Sequence, residues 1–306
     1  MGRLIAAADL GSNTAHLLIG HLTNSGLKRL VNQSEWLSLG EVVSREGIIP
    51  PIKVKELLET MGRFRALLDE YKVESFSFFA TEAMRKAANH DEILALIKKQ
   101  HGITMDIISP LREAELSFRS SRMDCIGEEP MLMVEAGGGS VQVAYCMNGK
   151  IERLTSLPIG SGTLKARSLM DQPPLEHSLN KALEIIQFEC DVLGDYPPVK
   201  RIVACGGVAR GLWRAMHPDG EKHLHVTELD FLAWDCARLE TEVIVDRYDV
   251  KINRARTLLA GSLVLRHIMG LFGISEAQVS QYGVREGAIL EQGDQLEASW
   301  IAEAAK

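Results

Sequence analysis

The stretch "MLMVEAGGGSVQVAYCMNGKI", residues 131–151, carries the decisive pattern of this 306-residue chain. An apolar run leads into Glu135, three glycines follow at 137–139, and a second apolar run leaves after Ser140. Both runs read as buried strands, so an acid and a glycine turn stand between them. Glycine accepts positive φ and has no Cβ to hold an anion away, so the N–H groups of Gly137, Gly138 and Gly139 can converge on phosphate. Ser140 adds a hydroxyl, and Glu135 a hard oxygen for a divalent cation or an attacking water. A tight hairpin uses glycine as readily, so this turn alone does not decide between the two readings.

A second copy of the pattern does. Laying "DLGSNTAHLLI" (9–19) over "EAGGGSVQVAY" (135–145) sets Asp9 on Glu135, Gly11 on Gly137, Asn13 on Gly139, Thr14 on Ser140 and His16 on Gln142. Two strand–acid–glycine–hydroxyl–strand units predict a duplicated fold whose halves each present one turn to a shared ligand cleft. A third glycine site, Gly206-Gly207 in "RIVACGGVARGL" (201–212), joins a strand to a helix start, where helix N–H groups can meet phosphate.

The rest of the chain supports an α/β architecture. Strands are expected at 3–8, 15–22, 27–34, 74–80 and 104–108, then at 131–135, 141–147, 151–157 and 200–204. Val54, Leu57, Leu58, Met61, Phe64, Leu67 and Leu68 share one helical face. Helices are also expected at 91–100, 111–121 and 177–193, and helices alone beyond residue 204. The domains read as 1–126 and 127–306, with a last helix at about 284–306 that packs back on the first domain. Hydrophobic residues make up 46% and charged residues 25%, as in ordinary globular proteins. The net charge of −7 argues against non-specific nucleic-acid or membrane-surface binding. The five cysteines are scattered with no C-x-x-C pair, which favours buried free thiols and a cytoplasmic location. "TLLAGSLVLRHIMGLFGI" is interrupted by Arg266 and His267 and reads as a buried helix.

Seven ordered segments together resemble the Ppx/GppA family of exopolyphosphatases and guanosine pentaphosphate phosphohydrolases, within the actin, sugar kinase and Hsp70-like superfamily. They are "DLGSNTAHLLI", "ATEAMRKAAN" (80–89), "IISPLREAELSF" (107–118), "VEAGGGSVQV", "SLPIGSGTLK", "ACGGVARGL" and "YGVREGAILE" (282–291). The resemblance implies two ribonuclease H-like (actin-like ATPase) domains flanking the cleft. It implies removal of the terminal phosphate of polyphosphate or pppGpp by water, with Mg²⁺ or Mn²⁺ held by Asp9 and Glu135. By the same carry-over, Gly11, Ser12 and Asn13, Gly137 to Ser140, and Gly206-Gly207 contact phosphate, Arg85 neutralises its oxygens, and Glu113 is the base. Homodimerisation is compatible with the family, although no local feature specifies it. Longer members carry an extra helical domain; its expected absence here favours short polyphosphate or nucleotide substrates.

The chain departs from the family pattern at the chemistry. Glu135 replaces an aspartate, Val141-Gln142 a Thr-Glu pair, Arg112-Glu113 a Glu-Glu pair, Pro110 a glycine and Val208 a threonine. An Arg112 that points inward would make Glu113 a poorer base. These departures support an alternative, a phosphate-ligand sensor with weak or no turnover. A kinase of the same superfamily would need an acceptor site that the sequence does not reveal. Asp9, Arg85 and Glu113 are all present, and the phosphohydrolase is the reading adopted.

Overall fold

The computed structural model describes residues 3–23 and 26–304, with side chains to residue 296. Two compact units emerge: Met1–Ser120 with Gly283–Lys306 form unit 1, and Ser121–Tyr282 form unit 2. The division falls in the last turn of the helix Pro110–Ser121, ahead of residues 126 and 127, where the sequence sets the boundary.

Unit 1 is built on a five-stranded sheet in the order β3-β2-β1-β4-β5. Its strands are β1 (Arg3–Leu10), β2 (Thr14–Thr23), β3 (Gly26–Trp36), β4 (Ser75–Ala80) and β5 (Met105–Ile107). The first three are antiparallel neighbours, and β4 and β5 run parallel to β1. β1 reads as a continuous apolar run because both its faces are covered. Ala6, Ala8 and Leu10 pack with Leu57, Met61, Phe64 and Leu68 of α2 (Pro51–Glu70) and with Ile93 and Ile97 of α4 (His90–His101). Ile5 and Ala7 face the other way, towards Leu116 of α5 (Pro110–Ser121) and Ala288 and Ile289 of α12 (Val284–Ala304). Residues 305 and 306 of the expected last helix lie outside the described residues. Gln292 of α12 donates to the Ala6 carbonyl at 3.1 Å and to Ser77 Oγ at 3.0 Å.

Unit 2 repeats this plan. Its sheet runs β10-β11-β9-β6-β7-β8, from β6 (Met131–Ala136), β7 (Val141–Met147), β8 (Lys150–Leu157), β9 (Arg201–Cys205), β10 (His223–His225) and β11 (Glu276–Val279). Without the edge strand β10, the order and strand senses match unit 1. The duplicated α/β class expected from the two turns therefore stands at the level of topology. The expectation of helices alone beyond residue 204 is corrected by β10 and β11. β11 is only "EAQV", too short and too poor in β-branched residues to show periodicity, and pairing with β9 at Ile202, Val203 and Ala204 defines it.

The segment with Arg266 and His267 lies in α11 (Ile252–Leu271), whose residues are largely buried. Among the described residues no helix is long and apolar enough to cross a membrane. All five cysteines are buried free thiols. Burial pushes Cys125, Cys146, Cys190 and Cys236 up to about 12, which makes them inert near neutral pH.

The attachment of α12 to unit 1 rests on a close approach. A Cβ at Gly287 would stand 2.7 Å from the Leu116 carbonyl carbon. Gly287→Ala is expected to cost about 1–3 kcal/mol, because two backbones must separate. Urea unfolding of the intact chain measures it.

Candidate functional site

The second turn owes its shape to the helix that follows β8. At the start of α6 (Ser161–Ser168), Gly160 N–H donates to the Gly139 carbonyl at 3.1 Å and Ser161 N–H to the Gly137 carbonyl at 3.1 Å. Gly162 and Thr163 N–H groups both donate to the Gly138 carbonyl, at 2.7 and 3.1 Å. In a planar trans peptide, N–H and C=O point in opposite directions. With three carbonyls bound to the helix start, the N–H groups of Gly138, Gly139 and Ser140 are aimed away from it together. This is the arrangement of an anion-binding nest. The packing excludes any Cβ at residue 160, which would stand 2.6 Å from Gly138 C and 2.5 Å from Ser140 N.

Unit 1 carries the same construction. Gly40 N–H, at the start of α1 (Leu39–Glu46), donates to the Ser12 carbonyl at 2.7 Å. Leu37 and Ser38 N–H groups donate to the Asn13 carbonyl at 2.8 and 2.9 Å. A Cβ at Gly40 would stand 2.7 Å from Ser12 Cβ. The N–H groups of Asn13 and Thr14 are turned outward by the same peptide geometry. Gly40 escaped the sequence reading; its signal is the Leu39-Gly40 pair after the third strand, which parallels Ile159-Gly160.

Arg85 and Glu113 come together. Arg85, on the short helix α3 (Glu82–Lys86), donates to the Ile108 carbonyl at 2.6 Å and lies 3.5 Å from Glu113 Oε2. Glu113 is buried in the first turn of α5, where Pro110 opens the helix and Ser109 Oγ accepts from Arg112 N–H at 3.1 Å. Arg112 does not point at Glu113: it pairs with Glu291 of α12 and lies 3.5 Å from Glu115. The inward Arg112 weighed from sequence is thereby excluded.

Glu135 and Gln142 face each other across β6 and β7. With its amide nitrogen towards the acid, Gln142 donates to Glu135 Oε2 at 2.6 Å and accepts from Ser140 Oγ at 2.9 Å. The other carboxylate oxygen, Oε1, lies 2.7 Å from where a Cβ at Gly206 would stand, at the first residue of α8 (Gly206–Met216). Gly206 has φ +90°, so glycine is required there on two counts. At the matching register of unit 1, Asp9 faces His16, and His16 Nε2 is 2.8 Å from Thr14 Oγ1.

These positions bear on the cation implied by the family. Among the described residues no three His, Cys, Asp or Glu side chains form a metal-binding group. Glu135 is engaged on one oxygen and packed against Gly206 with the other, which makes it a poor cation ligand. Unit 1 fits better. Thr81 N–H bonds to the Leu10 carbonyl, which brings the start of α3 to the end of Asp9's strand. The next residue, Glu82, is buried with an Oε2 that accepts no hydrogen bond, while its Oε1 pairs with Lys86. Glu82 thus offers a hard carboxylate oxygen of the kind that magnesium takes beside its waters and phosphate oxygens.

Unit 2 also gathers cations that the sequence reading missed. Arg210 on α8 donates to the Tyr282 carbonyl at 3.1 Å. Burial first, then the positive charges of Arg210 and Arg214, bring the Arg254 guanidinium down to about 10. Arg254 is still charged at neutral pH, and the cost of holding it so is present below about pH 10 and relieved as pH rises through that value. Their only sequence signal was their residue type.

Two outcomes follow from this geometry. Gly160→Ala should cost about 1–3 kcal/mol and displace the 137–140 turn, with loss of tripolyphosphate binding by calorimetry. Arg254→Gln should shrink by about half or more the melting-temperature gain that tripolyphosphate gives the unsubstituted protein, since a bound anion offsets the crowded positive charge.

The Ppx/GppA phosphatase family profile matches residues 18–296. Exopolyphosphatase 1 of Mycobacterium leprae is 26% identical, over 95% of this chain and 89% of its own length. The guanosine-5′-triphosphate,3′-diphosphate pyrophosphatase of Photobacterium profundum is 22% identical, over 94% of this chain and 59% of its own. Among solved structures, the Aquifex aeolicus Ppx/GppA family member superposes with a TM-score of 0.82 at 25% identity, covering 96% of this chain and 99% of that one. An exopolyphosphatase from Cytophaga hutchinsonii, at 23% identity and a TM-score of 0.86, shares the fold over 96% of this chain and 98% of its own. With the match running through both units, this chain belongs to the Ppx/GppA phosphatase family.

Proposed function

We propose that the protein is a phosphohydrolase that removes the terminal phosphate of inorganic polyphosphate or pppGpp, and that each unit carries one phosphate-binding turn. The observation that carries this reading is the shared construction of the two turns. Each has carbonyls bound from behind at a helix start, so the N–H groups of Asn13 and Thr14, and of Gly138, Gly139 and Ser140, face outward as phosphate donors. Those of Gly11 and Gly137, also expected to contact phosphate, instead close the turns on the Thr14 and Ser140 carbonyls. Phosphoryl transfer is mostly positioning and charge neutralisation, which such preset amides supply without reorganisation.

In this proposal a water attacks the terminal phosphorus in line with the bridging oxygen that leaves. Glu113 accepts the water's proton, and Arg85, held by the Ile108 carbonyl, neutralises the equatorial oxygens. The direction of Arg112, towards Glu291, keeps its charge out of this step. A divalent cation, when bound, supplies further neutralisation, and Asp9 and Glu82 are the residues that would hold it. The family members named above as an exopolyphosphatase and a guanosine polyphosphate pyrophosphatase support this substrate class.

Phosphate release from long-chain polyphosphate and from pppGpp, each with Mg²⁺ and with Mn²⁺, tests the proposal. Release from at least one substrate is expected. Binding of both without release from either would overturn it in favour of a sensor. Glu113→Gln should lower kcat by about 10²–10⁴-fold with little change in KM. An unchanged kcat would remove Glu113 from the base role.

A further inference from the structure

Two departures from the family pattern, Glu135 and Gln142, are one structural feature. They are directly opposite in the β6–β7 ladder and joined by a 2.6 Å amide-to-carboxylate bond. The extra methylene of glutamate carries Oε1 to the start of α8, against Gly206. A helix start is electropositive and favours a carboxylate. The carboxylate lies between both glycine sites of unit 2, since Oε2 is 3.9 Å from where a Cβ at Gly137 would stand. Glu135, Gln142 and Ser140 are all buried. The hydroxyl, amide and acid form a closed chain: Ser140 donates to Gln142, and Gln142 donates to Glu135. An amide can hold a carboxylate in this way, whereas a second carboxylate at 142 would repel it unless a proton or a cation stood between them.

We infer that Gln142 is a positioning residue that pins Glu135 beneath α8 as an internal anion, so that the second turn takes phosphate through its amides without a divalent cation at that corner. Glu135 then does what a phosphate or a metal-bound acid would do at the start of α8. At the Gly206-Gly207 site, expected from sequence to contact phosphate, the protein's own carboxylate sits against Gly206. The inference rests on the phosphohydrolase reading only for the identity of the ligand, because the pinned acid is defined by unit 2 alone.

The test is a titration of the full chain with Mn²⁺ alone, followed by electron paramagnetic resonance. Glu135→Gln is expected to leave Mn²⁺ affinity within about twofold of the unsubstituted protein, since Glu135 is not a ligand. Gln142→Glu is expected to raise Mn²⁺ affinity, or to add a site, by about tenfold or more, because two carboxylates then face each other. Glu135→Asp, too short to reach Gly206, is the second variant should Gln142→Glu fail to fold, and it too should gain Mn²⁺ affinity. A loss of about tenfold in Glu135→Gln would overturn the inference. So would unchanged affinity in Gln142→Glu or, should that variant not fold, in Glu135→Asp. Phosphate release is assayed on the same samples. Its absence would overturn the hydrolase and leave the Mn²⁺ result standing, because the titration contains no substrate.

Discussion

The contact on which the site depends is the seat of a helix start on the back of a glycine turn. In unit 2, four successive N–H groups from Gly160 to Thr163 bind the carbonyls of Gly137, Gly138 and Gly139. That contact orients the peptide planes of the turn, because a planar peptide cannot offer its carbonyl on one side without its N–H on the other. In the proposed function, the turn's phosphate donors are thus aimed by groups that the phosphate would not touch. Gly160 shows how tight the constraint is, since even a methyl group there would overlap the turn's backbone. Gly40 plays the same part against Ser12 in unit 1. The duplication therefore preserves a working contact as well as a strand order.

Once the turns are set this way, the other residues of each unit sort by charge. Arg85 and Glu113 are held as a pair by the start of α5, so the candidate base and the candidate phosphate-neutralising cation are placed by one contact. Arg210, Arg214 and Arg254 concentrate positive charge in unit 2 at a cost that falls on Arg254. A protein of net charge −7 can hold a polyanion only by such local concentration, and the burial that lowers Arg254 also strengthens its field at short range.

How much of this was legible in the sequence follows from how far apart the interacting residues lie. The turns at 9–14 and 135–140 were readable because acid, glycine and hydroxyl are consecutive, and the duplication made each a check on the other. Strands and helices with clean periodicity were readable for the same local reason. β11 was not, because four residues carry no period and a partner strand about seventy residues earlier defines it. The direction of Arg112 was hidden because its partner, Glu291, belongs to a distant helix. Gly40 and Gly160 look alike only after the third strand of each sheet is counted, since the connecting lengths differ. Gln142 was readable as a residue type, but its amide bond to Glu135 required the register of β6 on β7.

That register also separates the two units chemically. At one position of the duplicated hairpin, unit 1 places His16 opposite Asp9 with Thr14 in reach, and unit 2 places Gln142 opposite Glu135 with Ser140 in reach. Each corner is a hydroxyl, a planar nitrogen-bearing group and an acid in the same order. An imidazole and a primary amide offer different donors and acceptors at that position. The corner of unit 1 therefore carries a ring nitrogen within reach of Thr14 Oγ1, where that of unit 2 carries an amide held between Ser140 Oγ and Glu135 Oε2. A duplicated fold has in this way given its two turns, by the choice of one residue in each, corners of different hydrogen-bonding chemistry at one register position.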